Sequence, residues 1–429
     1  MRVLNTRARP GIVEGSGAIT RSFRFFFASV GVSAFGTALT EIALPLLALF
    51  VVDVSAVQLG AVVAVEQVGW LCFGLVAGVW VDRWSRVRVL VVADLGRAAL
   101  IAVLPVAYWL GHLGLGLLLV VGLLTGVGNV FSGVAHAAVV PEIVDPSSLL
   151  DANARITTVD TASGLSGSAV VGPLVAVLGA PVALAVDALT YLASAALLRG
   201  VSVRALDVTA EPARPRHFRR ELTDGLAIVA RDPLFRNLTL GSAAFNACVA
   251  AQYVLGFLFL RELGTPPGFF GVLLAAGGVG ALLGSLAVPR LTTRWGEATV
   301  WRCALVAGPT VGLLVPLARP GLGLAAFAVG SSGLTAAVAI SSIIGFSVRQ
   351  ALCPPALLGR VAATTRMVTW GLIPLAAAAG GWLGATLGIR PALGVVAAGL
   401  FLEPAIIRLT STWHWDSTSR TSPSPAAPT

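Results

Sequence analysis

The sequence predicts an all-α polytopic membrane protein, with twelve transmembrane helices arranged as two six-helix pseudo-repeats. Three observations predict it. The 429 residues have a mean hydropathy of +0.89, with 56% hydrophobic and only 11% charged side chains. Soluble domains carry roughly 25% charge, so this chain cannot solvate a surface in water and suits lipid instead. Apolar runs recur along its length, each close to the ~20 residues that one bilayer crossing needs. Arginines fall between those runs, mostly on alternate sides, as membrane orientation requires.

Residues 1–22 form a cytoplasmic tail. Its basic residues precede an apolar run, as in a signal peptide. The run from Phe25 to Val52 exceeds the ~7–15 residues of a signal h-region and ends in no small-residue cleavage site, so it is helix 1. Apolar runs place helices 1 to 6 near 23–52, 56–81, 89–111, 115–141, 152–179 and 181–199, a first bundle over 23–199. A basic cytoplasmic loop over 200–233 follows, with Arg204, Arg214, Arg216, Arg219 and Arg220. Helices 7 to 12 lie near 234–260, 268–290, 299–318, 321–349, 358–387 and 391–409, a second bundle over 234–410. The tail, 411–429, is rich in Ser, Thr and Pro and reads as disordered.

The net charge of +9 comes from 29 basic residues, all arginine. A G+C-rich coding bias accounts for the missing lysine. A nucleic-acid surface would need clustered basic residues with interleaved aromatics, whereas the arginines here fall mainly at the ends of apolar runs, where membrane topology explains them. Arg2, Arg7, Arg9, Arg21 and Arg24, then Arg83, Arg86 and Arg88, then the central loop, mark one side. Arg290, Arg294, Arg302, Arg349, Arg360, Arg408 and Arg420 continue it; the opposite loops hold only Arg261, Arg319 and Arg390. Positive residues mark the cytoplasm, so both termini are expected inside, in a multi-pass protein of a bacterial plasma membrane. Cys72, Cys248, Cys303 and Cys353 are far apart and imply neither disulfide nor metal site.

The halves resemble each other. DPSSLL from Asp145 recurs as CPPALL from Cys353, LGAPVAL from Leu178 as LGIRPAL from Leu387, and Arg83-Trp84 as Arg294-Trp295. The offsets are 208, 209 and 211 residues, all in corresponding loops. Internal repeats are how many transporters build a site that opens to each side in turn. No HExxH, GxSxG or phosphate-loop motif appears, so no catalytic residues, metal site or cofactor is expected. The remaining energy source is a gradient.

The segment GVWVDRWSRVR, from Gly78 through Asp82, Arg83 and Arg86 to Arg88, resembles the loop signature of the major facilitator superfamily between its second and third helices. DLGR from Asp94 to Arg97, PEIV from Pro141, LLDANA from Leu149 and DALTYL from Asp187 extend the match. Together they resemble the macrolide-efflux and siderophore-exporter branch, over nearly all of 20–410. Ser85 stands where many members have Gly, and is expected to stiffen the loop slightly. His136 replaces a basic residue and leaves the partner of Asp94 or Asp82 open. The resemblance implies a major facilitator fold and gating by Asp82, which would meet the start of helix 11 around Leu357 to Arg360. Against this, the three arginines alone would make a positive-inside stop signal.

Intramembrane ionisable residues are costly and are functional candidates by default. Ser33, Thr37 and Glu41 recur every four residues on helix 1 and form one stripe; Gln58, Val62 and Glu66 do so on helix 2. Burial penalises a charged carboxyl, so Glu41 and Glu66 are the proton-coupling candidates. The alternative is a neutral acid that only bonds a neighbouring helix. Asp94 and Arg97 read as an ion pair; Asp160, Asp187 and Glu403 read as structural residues near helix ends. Asn129, Asn246, Gln252 and Tyr253 join Ser33 and Thr37 as candidates to contact substrate; the alternative for these four is to bond between helices. Gly74 with Gly78, and Gly280 with Gly284, have the spacing of close helix packing.

These readings describe a monomeric, proton-coupled exporter of small amphipathic molecules (a drug, antibiotic or siderophore-like product) working by alternating access. The alternative is an importer of a sugar or other nutrient on the same fold. An enzyme is not expected.

Overall fold

The computed structural model describes residues 21–81, 83–145, 148–202, 226–353 and 355–409. Among these, 12 helices are long and apolar enough to cross a membrane, and no strand is present. In the first half, α1 (Arg21–Leu47) continues as a π-helical turn over Ala48–Val52, followed by α2 (Ala56–Val81) and α3 (Arg86–Trp109). Then come α4 (Leu115–Ile143), α5 (Leu149–Leu178) and α6 (Ala180–Leu198). The second half holds α7 (Pro233–Glu262), α8 (Pro267–Trp295), α9 (Glu297–Gly312) and α10 (Leu324–Leu352). Two helices are broken: α11 into Pro355–Gly371 and Ile373–Leu387, α12 into Ile389–Gly399 and Leu402–Arg408.

The breaks have a local cause. Proline supplies no N–H to the carbonyl four residues back. Pro374 therefore leaves the Trp370 carbonyl without its usual helical donor within α11, and Pro404 does the same to that of Leu400 within α12. The hairpins α5–α6 and α11–α12 turn on Gly179 (φ 83°) and Gly388 (φ 86°), a conformation that disfavours any side chain. These two glycines fall at the 209-residue offset of the repeat. Ser85 adopts an ordinary extended conformation (φ −61°, ψ 115°), so no strain follows from the missing glycine there.

Helix contacts repeat with the sequence. α1 packs on α5 and α6, and α7 on α11 and α12; α2 packs on α4, and α8 on α10; α3 packs on α4, and α9 on α10. The halves meet through α2 against α11 and α5 against α8, which are equivalent pairs under the same repeat. One pairing breaks the symmetry. α3 packs closely along α6, whereas α9 touches α12 only sparsely.

Lipid offers no hydrophobic gain for helix association, so small residues set the crossings. A Cβ on Gly280 or Gly284 would collide with the α10 backbone at Ser332 or Ala336, so α8 and α10 are in close backbone contact. Gly69 and Gly126 do the same for α2 and α4, Gly172 and Gly271 for α5 and α8. Gly74 and Gly78 do not: a Cβ on Gly78 would meet nothing within 4 Å, and one on Gly74 only Trp70 of its own helix, at 3.8 Å. Their spacing alone does not make a crossing.

Candidate functional site

With an even number of crossings, α1 begins and α12 finishes on one face, here termed the N/C face; the other is the distal face. Deep in the first bundle lies a network of charged and polar side chains between α1, α3, α4 and α6. Asp94 and Arg97 form a buried ion pair within one turn of α3. Arg97 donates to Asn129 Oδ1 (2.8 Å) and Ser132 Oγ (3.0 Å) of α4, and its guanidinium lies 4.2 Å from the Tyr191 ring centroid. The Tyr191 and Thr37 hydroxyls share a hydrogen bond of 2.9 Å. Asp187 accepts from Thr40 and, at 3.0 Å, from Thr190. Asp187 is wholly buried and lies mid-way along α6, which corrects the expectation that it lies near a helix end.

The network occupies part of the expected helix-1 stripe. Ser33 is buried, and Thr37, which also bonds the Ser33 carbonyl (2.9 Å), belongs to the α1–α6 contact through Tyr191. Glu41 alone is exposed in a run, from Ala38 to Leu49, that is otherwise buried. Asp160 and Asp187 lie within electrostatic range of it, and so does Glu66 of α2. Pro45 cannot donate to the Glu41 carbonyl, and the Tyr253 hydroxyl of α7 takes the vacant place at 2.8 Å. The bond joins the two halves. Gln252, beside it, has a buried Oε1 without a hydrogen-bond partner among the described residues.

At the N/C face, Arg86 pairs with Glu142 and ties the start of α3 to the end of α4; Arg83 and Arg88 are exposed. Asp82 and the side chains around Leu357 to Arg360 lie outside the described residues. His136 packs edge-on against Phe26, ring centroids 5.5 Å apart. At the distal face, Asp53 closes α1 in a left-handed conformation (φ 59°) and pairs with Arg261 at the end of α7. Short polar residues tolerate that backbone.

A cavity of about 560 Å³ lies wholly in the second half, between α7, α9, α10, α11 and α12. Its place is the repeat equivalent of the buried network: where α3 and α6 hold Arg97, Asp94 and Asp187, the sparse α9–α12 contact leaves a hollow. Apolar walls come from Phe245, Trp301, Phe346 and Trp370; polar groups come from Ser242, Asn246, Ser341, Thr365, Thr369, Arg366 and Glu403. Asn246 bonds the Ser242 carbonyl of its own helix at 2.7 Å. Of the six residues expected to contact substrate, only Asn246 lines this cavity. Ser33, Thr37 and Asn129 belong to the first-half network, and Gln252 and Tyr253 lie toward the distal face. Glu403 is a cavity residue rather than a plain helix-end acid. Arg366 was missed; an arginine inside a span, one turn before Trp370, was the signal that could have found it.

The chain's sequence matches the family model described as transmembrane secretion effector over residues 18–428. No curated protein sequence matches it. Among solved structures it is similar to a mutant form of the nucleoside transporter NupG, at 14% identity and a TM-score of 0.78, covering 90% of this chain and 99% of that one. It is also similar to a bacterial homologue of the iron transporter ferroportin in an inward-facing state (18%, 0.73, covering 91% and 98%). A bacterial homologue of the human lysosomal transporter Spinster, inward-facing and unoccupied, matches at 13% and 0.68, covering 94% and 98%. The chain is therefore a transporter and not an enzyme, and it belongs to the transmembrane secretion effector family of the major facilitator superfamily.

Proposed function

We propose that the protein is a proton-coupled exporter of small amphipathic molecules, working by alternating access as a monomer in a bacterial plasma membrane. One observation carries the reading: equivalent places in the two halves hold a buried carboxyl network in one and a cavity in the other. The first half (23–199) is then the proton-handling body, and the second (234–410) the substrate-binding body. The loop over 200–233 joins them on the cytoplasmic side.

The halves are closed together toward the distal face. Ala56 and Gly60 meet Gly381, Gly172 meets Gly268 and Gly271, and Asp53 pairs with Arg261. With both termini inside, the cavity lies toward the cytoplasm, where an exporter collects its cargo. Glu41, exposed within the protein and beside Glu66, is the carboxyl placed to exchange a proton with the outside when the distal contacts part.

The test uses vesicles holding the full chain, an imposed pH gradient and a fluorescent amphipathic dye. Wild type should concentrate the dye, and a protonophore should abolish this. Glu41→Gln keeps shape and hydrogen bonding but cannot titrate, so accumulation should fall to the level of empty vesicles while passive exchange partly survives. Accumulation equal to wild type would remove Glu41 from the coupling and pass the role to Glu66. A second reading, import of a polar solute, gains support from the hydroxyl and amide groups in the cavity. It predicts gradient-driven movement of a sugar or nucleoside in the opposite direction.

A further inference from the structure

We propose that the second-half cavity binds small aromatic organic anions, and that Arg366 is the residue that holds their charge. The inference rests on the transport reading above and specifies its cargo. Arginine stays protonated in proteins, and a fixed charge inside a spanning segment is costly unless it serves a site. Arg366 lies on α11 and is exposed into the cavity. Among the described residues no carboxylate pairs with it, and its side chain donates no hydrogen bond. Its recorded side-chain partner is the Trp370 ring, 4.5 Å from guanidinium carbon to centroid. A guanidinium has five donors in a planar fork that suits a carboxylate. None of the five has an acceptor among the described residues.

A positive-inside signal would explain an arginine that reaches toward headgroups. Arg366 instead lines a hollow, between Thr365 and Thr369 along the helix and against an indole face. The rest of the wall suits the other end of such a ligand. Phe245 and Phe346 offer flat apolar surface, and Ser242, Asn246 and Ser341 offer hydrogen bonds. The volume, about 560 Å³, falls within the roughly 300–1,000 Å³ of ligand pockets. Occupancy would also reach the interface between halves: Trp370 packs edge-on against Trp70 of α2, with ring centroids 5.3 Å apart at 81°.

The experiment is calorimetric titration of the purified full chain with three probes of one shape: 2-naphthoate, 2-naphthamide and (2-naphthyl)methylammonium. Wild type should bind the carboxylate about tenfold more tightly than the amide, and the ammonium more weakly than either. Arg366→Gln should erase the carboxylate preference, and Arg366→Lys should keep part of it, with thermal unfolding unchanged in both. Equal binding of carboxylate and amide by wild type, tighter binding of the ammonium, or a preference that survives Arg366→Gln would each overturn the proposal. The wild-type comparison decides even if Arg366→Gln does not fold. Naphthoate that binds through Arg366 but is not moved by a pH gradient would sink the transport reading and leave the anion site standing. Gradient-driven transport without anion preference would do the reverse.

Discussion

Arg97 shows what one residue can hold together. It is 4% exposed, pairs with Asp94, and reaches two groups of α4 and the ring of Tyr191. Removing one partner of a buried pair typically costs about 3–5 kcal/mol, because the remaining charge is stranded. Arg97→Met should therefore lower stability by about that amount, read as an earlier thermal unfolding of the detergent-purified protein by intrinsic fluorescence. Asp94→Asn combined with Arg97→Met should recover part of it, since the Asp94 charge is no longer stranded while that of Asp187 still is. A single variant that unfolds like wild type would show that the pair holds nothing. Pairing between residues three apart on one helix was readable from the sequence. The reach to Asn129, Ser132 and Tyr191 was not, because it joins helices that are distant in the chain.

Among the helices, crossings are set by glycines that the spacing rule only half identifies. Gly280 and Gly74 both sit in a small-xxx-small pattern, yet one abuts the backbone of Ser332 and the other only its own helix's Trp70. Gly280→Ala should push α8 off α10 and cost about 1–3 kcal/mol, visible as lower yield of monodisperse protein and earlier unfolding. Gly74→Ala should be neutral or slightly stabilising, since alanine favours a helix by about 0.5–1 kcal/mol over glycine. Equal losses in the two variants would mean that helix propensity, not the crossing, controls the effect. The same scale explains the distal tie between halves. Pro45 leaves the Glu41 carbonyl without its helical donor, and Tyr253 supplies one from the opposite bundle.

For the whole molecule, arginine placement and twelve candidate crossings are the ground for proposing that both termini face the cytoplasm. In cells carrying a variant without native cysteines, one cysteine placed near Pro266 should react with an impermeant thiol reagent, and one near Arg214 should not. The reversed pattern would invert the molecule in the membrane, turn the cavity toward the outside, and favour the import reading. The asymmetry between the halves is the second property at this scale. Two bundles of one plan carry different contents, charge in the first and a cavity in the second.

Read in order, the amino acids by themselves determined the solvent, the number of crossings, the repeat and the helix limits to within a few residues. Those properties depend on local hydropathy and short spacings, which a linear chain displays directly. Asp94 with Arg97, and Glu41 as an unusual intramembrane acid, were legible for the same reason. Tertiary structure decided what each polar group faces. Thr37 turns to Tyr191 and Asn129 to Arg97, while Arg366 and Glu403 come together around a hollow that no stretch of sequence contains. A helix displays its spacing along the chain but not its rotation about its own axis; only its neighbours set that rotation, and with it the difference between a buried network and a binding site.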